Sequence, residues 1–207
     1  MLPILSELSL GLGRQRDIVG DQRERWFYRR EQEWIAIVER LKQTSCPHCK
    51  TVGTLIRHGV LYGFDDSNPQ RTTIRARRIF CSNRHRRHGC GRTFSVWLAD
   101  KIRRLSLTTR TLWTFLQRAV VGSIADAIHA TDCQRSDRTF QRIWKRFDHG
   151  QSAIRTALLG RGPPPELPDA PSRRPAAAQV LAHLQATFPH DDCPIAAFQH
   201  SMRSFFI

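Results

Sequence analysis

Four cysteines are the residues of this chain best placed to do chemistry. Cys46 and Cys49 enclose Pro47 and His48, the spacing that lets both sulfurs of a tight knuckle reach one tetrahedral metal ion. Cys81 and Cys90 follow on the far side of a strand-rich stretch and complete the ligand set of a zinc ribbon. Eight residues separate this second pair, where a simple ribbon has about two to four, so the second knuckle must carry a loop, Ser82 to Gly89. The loop contains Arg84, His85, Arg86, Arg87 and His88. Either histidine could stand in for a cysteine, because zinc takes nitrogen and sulfur ligands alike. Four cysteines are the preferred set: Cys81 closes a clear strand, and Gly91 lets the backbone fold around a bound Cys90 sulfur. Four protein ligands leave no open position, so the one zinc expected here is structural rather than water-activating.

Two other chemistries compete for these thiols. A Cys-Pro-His-Cys run also serves as a redox motif, but at a strand-to-helix junction; here a helix is expected before it and a strand after it. Thiols acting only as small apolar side chains are the remaining alternative. Cys133 and Cys193 have no partner at ligand spacing and read as ordinary thiols.

The elements that must position these residues are legible from periodicity. Trp34, Ile37, Val38 and Leu41 recur at helical spacing, which predicts an amphipathic helix over 23–43 leading into the first knuckle. Residues 1–22 have no sustained period and read as a flexible tail. Between 44 and 98 the signals are short and strand-like: Thr54 to Arg57 before Gly59, Thr72 to Phe80, and Thr93 to Trp97. Asp65, Asp66, Asn68 and Pro69 mark a turn between the first two. A small antiparallel sheet is expected.

From 104 to 159 the helical period returns, broken at Gly122, at Thr131 to Arg135, and near Gly150. Leu112, Phe115, Leu116, Ala119 and Val120 form one apolar stripe, and Ser123 can cap a short helix carrying Ile124, Ala127 and Ile128. Ser136 and Asp137 begin a third helix, in which Phe140, Ile143, Trp144 and Phe147 face inward. Arg138, Gln141, Arg142, Lys145 and Arg146 then face outward. This is the disposition of a helix-turn-helix, whose last helix offers its exposed side to the major groove. A Pro-rich linker over 160–175 precedes a helical C-terminal tail over 176–207, with helices from Ala176 to about Phe188 and from Pro194 to Phe206. The fold class expected is therefore α+β: a ribbon sheet, a helical module and a tail.

Charge points to the partner. Lys and Arg number 33 against 18 Asp and Glu, a formal net charge of +15, which a polyanion such as double-stranded DNA would neutralise. Arg138, Gln141, Arg142, Lys145 and Arg146 are the candidate DNA-reading residues. Arg84, Arg86 and Arg87, with the run Arg75, Arg77 and Arg78, would meet phosphates rather than bases. No apolar run approaches the roughly 20 residues that span a bilayer, and the start MLPILSELSLGLG lacks the basic residues and cleavage site of a signal peptide. A soluble, cytoplasmic, nucleoid-associated protein without a membrane partner is expected.

Three blocks together, Cys46-Pro47-His48-Cys49, Arg78-Ile79-Phe80-Cys81 and Gly89-Cys90-Gly91-Arg92-Thr93-Phe94-Ser95, followed by the helical module, resemble the zinc-ribbon/helix-turn-helix N-terminal region of insertion-sequence transposases and their stand-alone DNA-binding accessory proteins. The resemblance covers about residues 44–150. It implies a zinc on the four cysteines, a helical module that grips the ends of a mobile element, and a separate transposase subunit as a candidate partner. Such transposases continue into a domain whose three carboxylates hold two metal ions. Glu166, Asp169, Asp191 and Asp192 lie here without a strand pattern to assemble them, so no catalytic residue is assigned and the chain is not expected to be an enzyme. A chromosomal transcription regulator would use the same parts. An RNA-binding ribbon would instead expose sheet aromatics for stacking, with Tyr62, Phe64 and Trp97 as candidates.

Overall fold

The computed structural model describes residues 26–207 apart from 65, 67–69, 85, 87, 132, 134 and 167–171. The expected tail over 1–22, and with it His85, Arg87 and Asp169, lies outside the described residues.

Trp26, Phe27 and Tyr28 are aromatic, favour extended backbone, and form a strand, β1 (Trp26–Tyr28), rather than the first turn of a helix as expected. The helix α1 (Glu31–Arg40) begins only after the Arg29-Arg30 pair. Glu33 accepts a hydrogen bond from the Arg29 backbone N–H at 2.8 Å. Three further strands follow: β2 (Leu55–Gly63), β3 (Thr73–Cys81) and β4 (Thr93–Leu98). The sheet order is β1-β4-β3-β2. The β2–β3 and β3–β4 pairs are antiparallel, but β1 joins β4 in parallel, so the sheet is mixed and not purely antiparallel. β2 also runs past Gly59, where it was expected to end, because a bulge between Arg57 and Gly59 absorbs that position.

One face of this sheet packs against α1. Tyr28, Trp34, Leu41, Leu55, Ile79 and Val96 form its small buried core, together with Cys46 and Cys81.

The helices α2 (Thr109–Val121), α3 (Ile124–His129) and α4 (Asp137–Leu159) follow. Gly150 does not interrupt α4. A mid-helix glycine costs about 1 kcal/mol relative to alanine, but the buried stripe Ile143, Phe147, Gln151, Ile154 and Leu158 passes through it without a gap. The last two helices, α5 (Pro175–Thr187) and α6 (Pro194–Met202), do not stand apart as a tail. Val180, Leu184, Ile195, Phe198 and Phe206 share one core with Leu112, Phe115, Phe140 and Phe147. Gln179 donates to the Pro165 carbonyl at 2.8 Å, so part of the Pro-rich segment lies along α5.

Sheet and helices are tied together by buried polar groups. Arg75, only 7% exposed, donates to the carbonyls of Phe64, Ile102 and Leu105. Asp66, in the β2–β3 turn, accepts from the Thr108 N–H at 3.2 Å and from the Thr108 and Thr111 hydroxyls at the start of α2. Gln199 of α6 is fully buried, donates to the carbonyls of Ala99 and Lys101, and accepts from the Phe206 N–H. No helix among the described residues is long and apolar enough to cross a membrane.

Candidate metal centre and basic surface

The first knuckle is built by the chain leaving α1. The Cys46 N–H donates to the Thr51 carbonyl and the Lys50 N–H to the Cys46 carbonyl, at 3.0 and 2.8 Å. Lys50 takes a left-handed conformation, φ 61°, which closes the turn, and the His48 N–H lies 3.4 Å from the Cys46 sulfur. The second knuckle begins as β3 ends. The Cys81 N–H donates to the Arg92 carbonyl and the Gly91 N–H to the Cys81 carbonyl, while the Cys90 N–H points at the Cys81 sulfur, 3.2 Å away.

Glycine is required here at a position that spacing alone did not reveal. A Cβ on Gly89 would lie 2.3 Å from the Ser82 carbonyl oxygen and 2.8 Å from the Cys81 sulfur. Gly91 adds a φ of +70°, a conformation that costs L side chains energy. The eight-residue excursion from Cys81 to Cys90 therefore returns close against its own start.

The four sulfurs of Cys46, Cys49, Cys81 and Cys90 lie within 4.8 Å of one another. The pairs Cys46–Cys90 and Cys49–Cys81 are 3.8 and 3.6 Å apart. Four thiolates about 2.3 Å from a central ion stand roughly 3.8 Å apart at tetrahedral geometry, so the arrangement is compatible with one metal ion. None of the four cysteines is in a disulfide. Without an ion, burial pushes the Cys46 thiol up to about 12 and raises that of Cys90. The Thr51 hydroxyl, then its backbone, hold the Cys49 thiol down to about 6. A bound cation would override these differences by favouring every thiolate. The buried Thr54 hydroxyl sits 3.2 Å from the Cys81 sulfur and can donate to it once it is a thiolate, orienting the ligand from behind. His88 is exposed and does not join the set.

The second candidate region lies on α4. Phe140, Ile143 and Phe147 are buried and Trp144 is half-buried, whereas Arg138, Gln141, Arg142, Lys145 and Arg146 are all exposed. Around them, Ser123 caps α3 by accepting from the Asp126 N–H at 3.0 Å. Arg174 donates to the Ala119 and Gly122 carbonyls at the end of α2, with its guanidinium carbon 5.0 Å from the centre of the Trp144 ring. The unsatisfied carbonyls of a helix C-terminus attract such a cation.

The arginines of β3 do not behave as the sequence suggests. Arg75 is committed to three carbonyls and cannot reach a phosphate. Arg77 lies 5.1 Å over the Trp34 ring and donates to Glu31 at 2.6 Å, so it too is spent on the fold. Arg78 is exposed, as are Arg84 and Arg86 on the loop. Among the aromatic candidates, Tyr62 and Phe64 are 49% and 42% exposed, but Trp97 is packed by Phe205 at 5.2 Å. Asp191 is paired with Arg29, while Asp192 and Glu166 are exposed. Cys133 and Cys193 pack against the helical core.

No family model, curated protein or solved structure matches the chain.

Proposed function

We propose that this chain is a zinc-dependent, non-catalytic DNA-binding protein, in which the four-cysteine centre is structural and α4 lies in the major groove of duplex DNA. The observation that carries the reading is the division of α4. Arg138, Gln141, Arg142, Lys145 and Arg146 are exposed along one side of a helix whose other side is anchored by Phe140, Ile143 and Phe147. Arginine and glutamine are the side chains that bond purine edges in pairs, and lysine and arginine hold phosphates. A formal charge of +15 supports a polyanionic partner. Zinc is the natural ion for four thiolates, because it takes tetrahedral sulfur sites and has no redox chemistry. The resemblance to insertion-sequence proteins narrows the role to binding element ends, or acting there as a repressor or targeting subunit beside a separate transposase.

The test is the affinity of the full chain for a mixed-sequence duplex, compared with the variant Arg142→Gln/Lys145→Gln/Arg146→Gln. All three side chains are exposed, so zinc content and helicity should be unchanged. Loss of three phosphate-neutralising charges should weaken binding by more than about tenfold at moderate salt. An unchanged affinity would overturn the assignment of α4.

A further inference from the structure

The sheet has a second face, turned away from α1. Strand alternation places Arg78 and Phe80 of β3 on it, with Thr93 and Ser95 opposite them on β4. At one end, around Trp97 and Phe27, it is covered by Phe205. At the other end Phe80, Thr93 and Ser95 are half-buried and Arg78 is open to solvent.

The bulge in β2 gives this open end its chemistry. Arg57 pairs with Ile79 and Gly59 with Arg78, leaving His58 as the extra residue. An unpaired bulge residue redirects its side chain, and here the His58 ring lies 5.3 Å from that of Phe80, inclined by 34°. From the loop side, the Arg84 guanidinium carbon stands 5.9 Å from the centre of the same ring. Phe80 thus has one flat π group, His58, and one planar cation, Arg84, close to its ring, with the Thr93 and Ser95 hydroxyls on the neighbouring strand. Between Lys50 and Trp97 the only carboxylates are Asp65 and Asp66, and Asp66 is occupied at the start of α2.

We infer that this open end of the sheet, centred on Phe80 and His58, is a binding surface for a single-stranded nucleic acid, distinct from the duplex surface of α4. Flat rings offer a stacking partner to any unpaired base, and neighbouring arginines follow the backbone phosphates. A duplex cannot use the rings, because its bases are stacked on each other. Beyond Asp65 and Asp66, the segment that builds this end of the sheet brings no carboxylate of its own to repel a phosphate backbone.

The experiment is fluorescence anisotropy of an oligothymidine of about 15 nucleotides with the full chain, its Phe80→Leu variant and its His58→Gln variant. Phe80→Leu leaves every ionisable group in place and so isolates stacking from charge, and bound zinc and circular dichroism check the fold. Phe80→Leu should weaken single-strand binding about tenfold, and His58→Gln by less, while duplex affinity stays at the wild-type value. An oligouridine measured alongside decides between DNA and RNA as the strand, and binding to either that depends on Phe80 supports the surface. No binding to single strands, unchanged binding in both variants, or equal losses on single strand and duplex would overturn it. If the α4 variant instead leaves duplex affinity intact while the Phe80 effect remains, the duplex reading fails and this one stands.

Discussion

The four-stranded sheet, here called the ribbon, and the helical body are built on cores of very different size. The ribbon's core is a handful of side chains around Trp34, Leu55, Ile79 and Val96, and two of its buried members are the thiols of Cys46 and Cys81. The helical body buries Phe115, Phe140 and Phe147 completely, along with most of the apolar side chains of α2, α4, α5 and α6. A small sheet with a thin core needs a staple, whereas the helices can close over their own apolar faces. Under the proposed zinc assignment, an ion on Cys46, Cys49, Cys81 and Cys90 would be what makes the sheet region rigid, and the helical core is what gives the basic side of α4 its fixed backing.

The comparison is broken most severely by Cys81→Ser. Under the zinc assignment it should abolish stoichiometric metal binding and remove a contribution on the order of 10 kcal/mol from the ribbon, read by metal analysis and by loss of sheet signal, with the helical signal largely kept. Phe147→Ala attacks the other region. It should cost about 3–5 kcal/mol in denaturant unfolding of the helical body while one metal per chain is retained under native conditions.

Gln199→Ala probes the join between the two. It leaves the Ala99 and Lys101 carbonyls and the Phe206 N–H without their partner, so a loss of about 1–3 kcal/mol is expected, felt by thermal unfolding of both regions. The smallest effect belongs to His200, which sits 3.2 Å from Glu33. Burial, outweighing Glu33 and aided by Arg29 and Arg203, holds its imidazole below the ordinary histidine value. The folded state thus favours the neutral ring, and its contribution is full above about pH 6.5 and is lost as pH falls through the lowered value. His200→Gln should flatten that part of the stability profile in urea melts across pH 5 to 8.

What could be read in advance was what is local. The Cys46–Cys49 spacing, the buried stripes of α2 and α4 and the Ser123 cap each depend on residues within a turn or two. What escaped depends on distant partners. β1 is three residues long and exists because Trp26 and its neighbours pair with Val96 to Leu98, a pairing no local pattern announces. Arg75 resembles Arg78 in sequence, yet it is buried because the carbonyls of Ile102 and Leu105 need a donor. Gly89 was hidden for the same reason, since only the folded loop brings the Ser82 carbonyl and the Cys81 sulfur against it. Gly150 misled in the other direction, because packing of Phe147, Ile154 and Leu158 outweighs a modest helix penalty.

The most direct test of this division of labour is amide hydrogen exchange on the full chain, with its metal and after chelation. Protection should fall sharply across β2, β3 and β4 when the metal is removed and persist in α2, α4 and α5, whose amides answer to the apolar core. Equal loss across both regions, or no loss in the sheet, would contradict the claim that the metal holds the ribbon and apolar burial holds the helices.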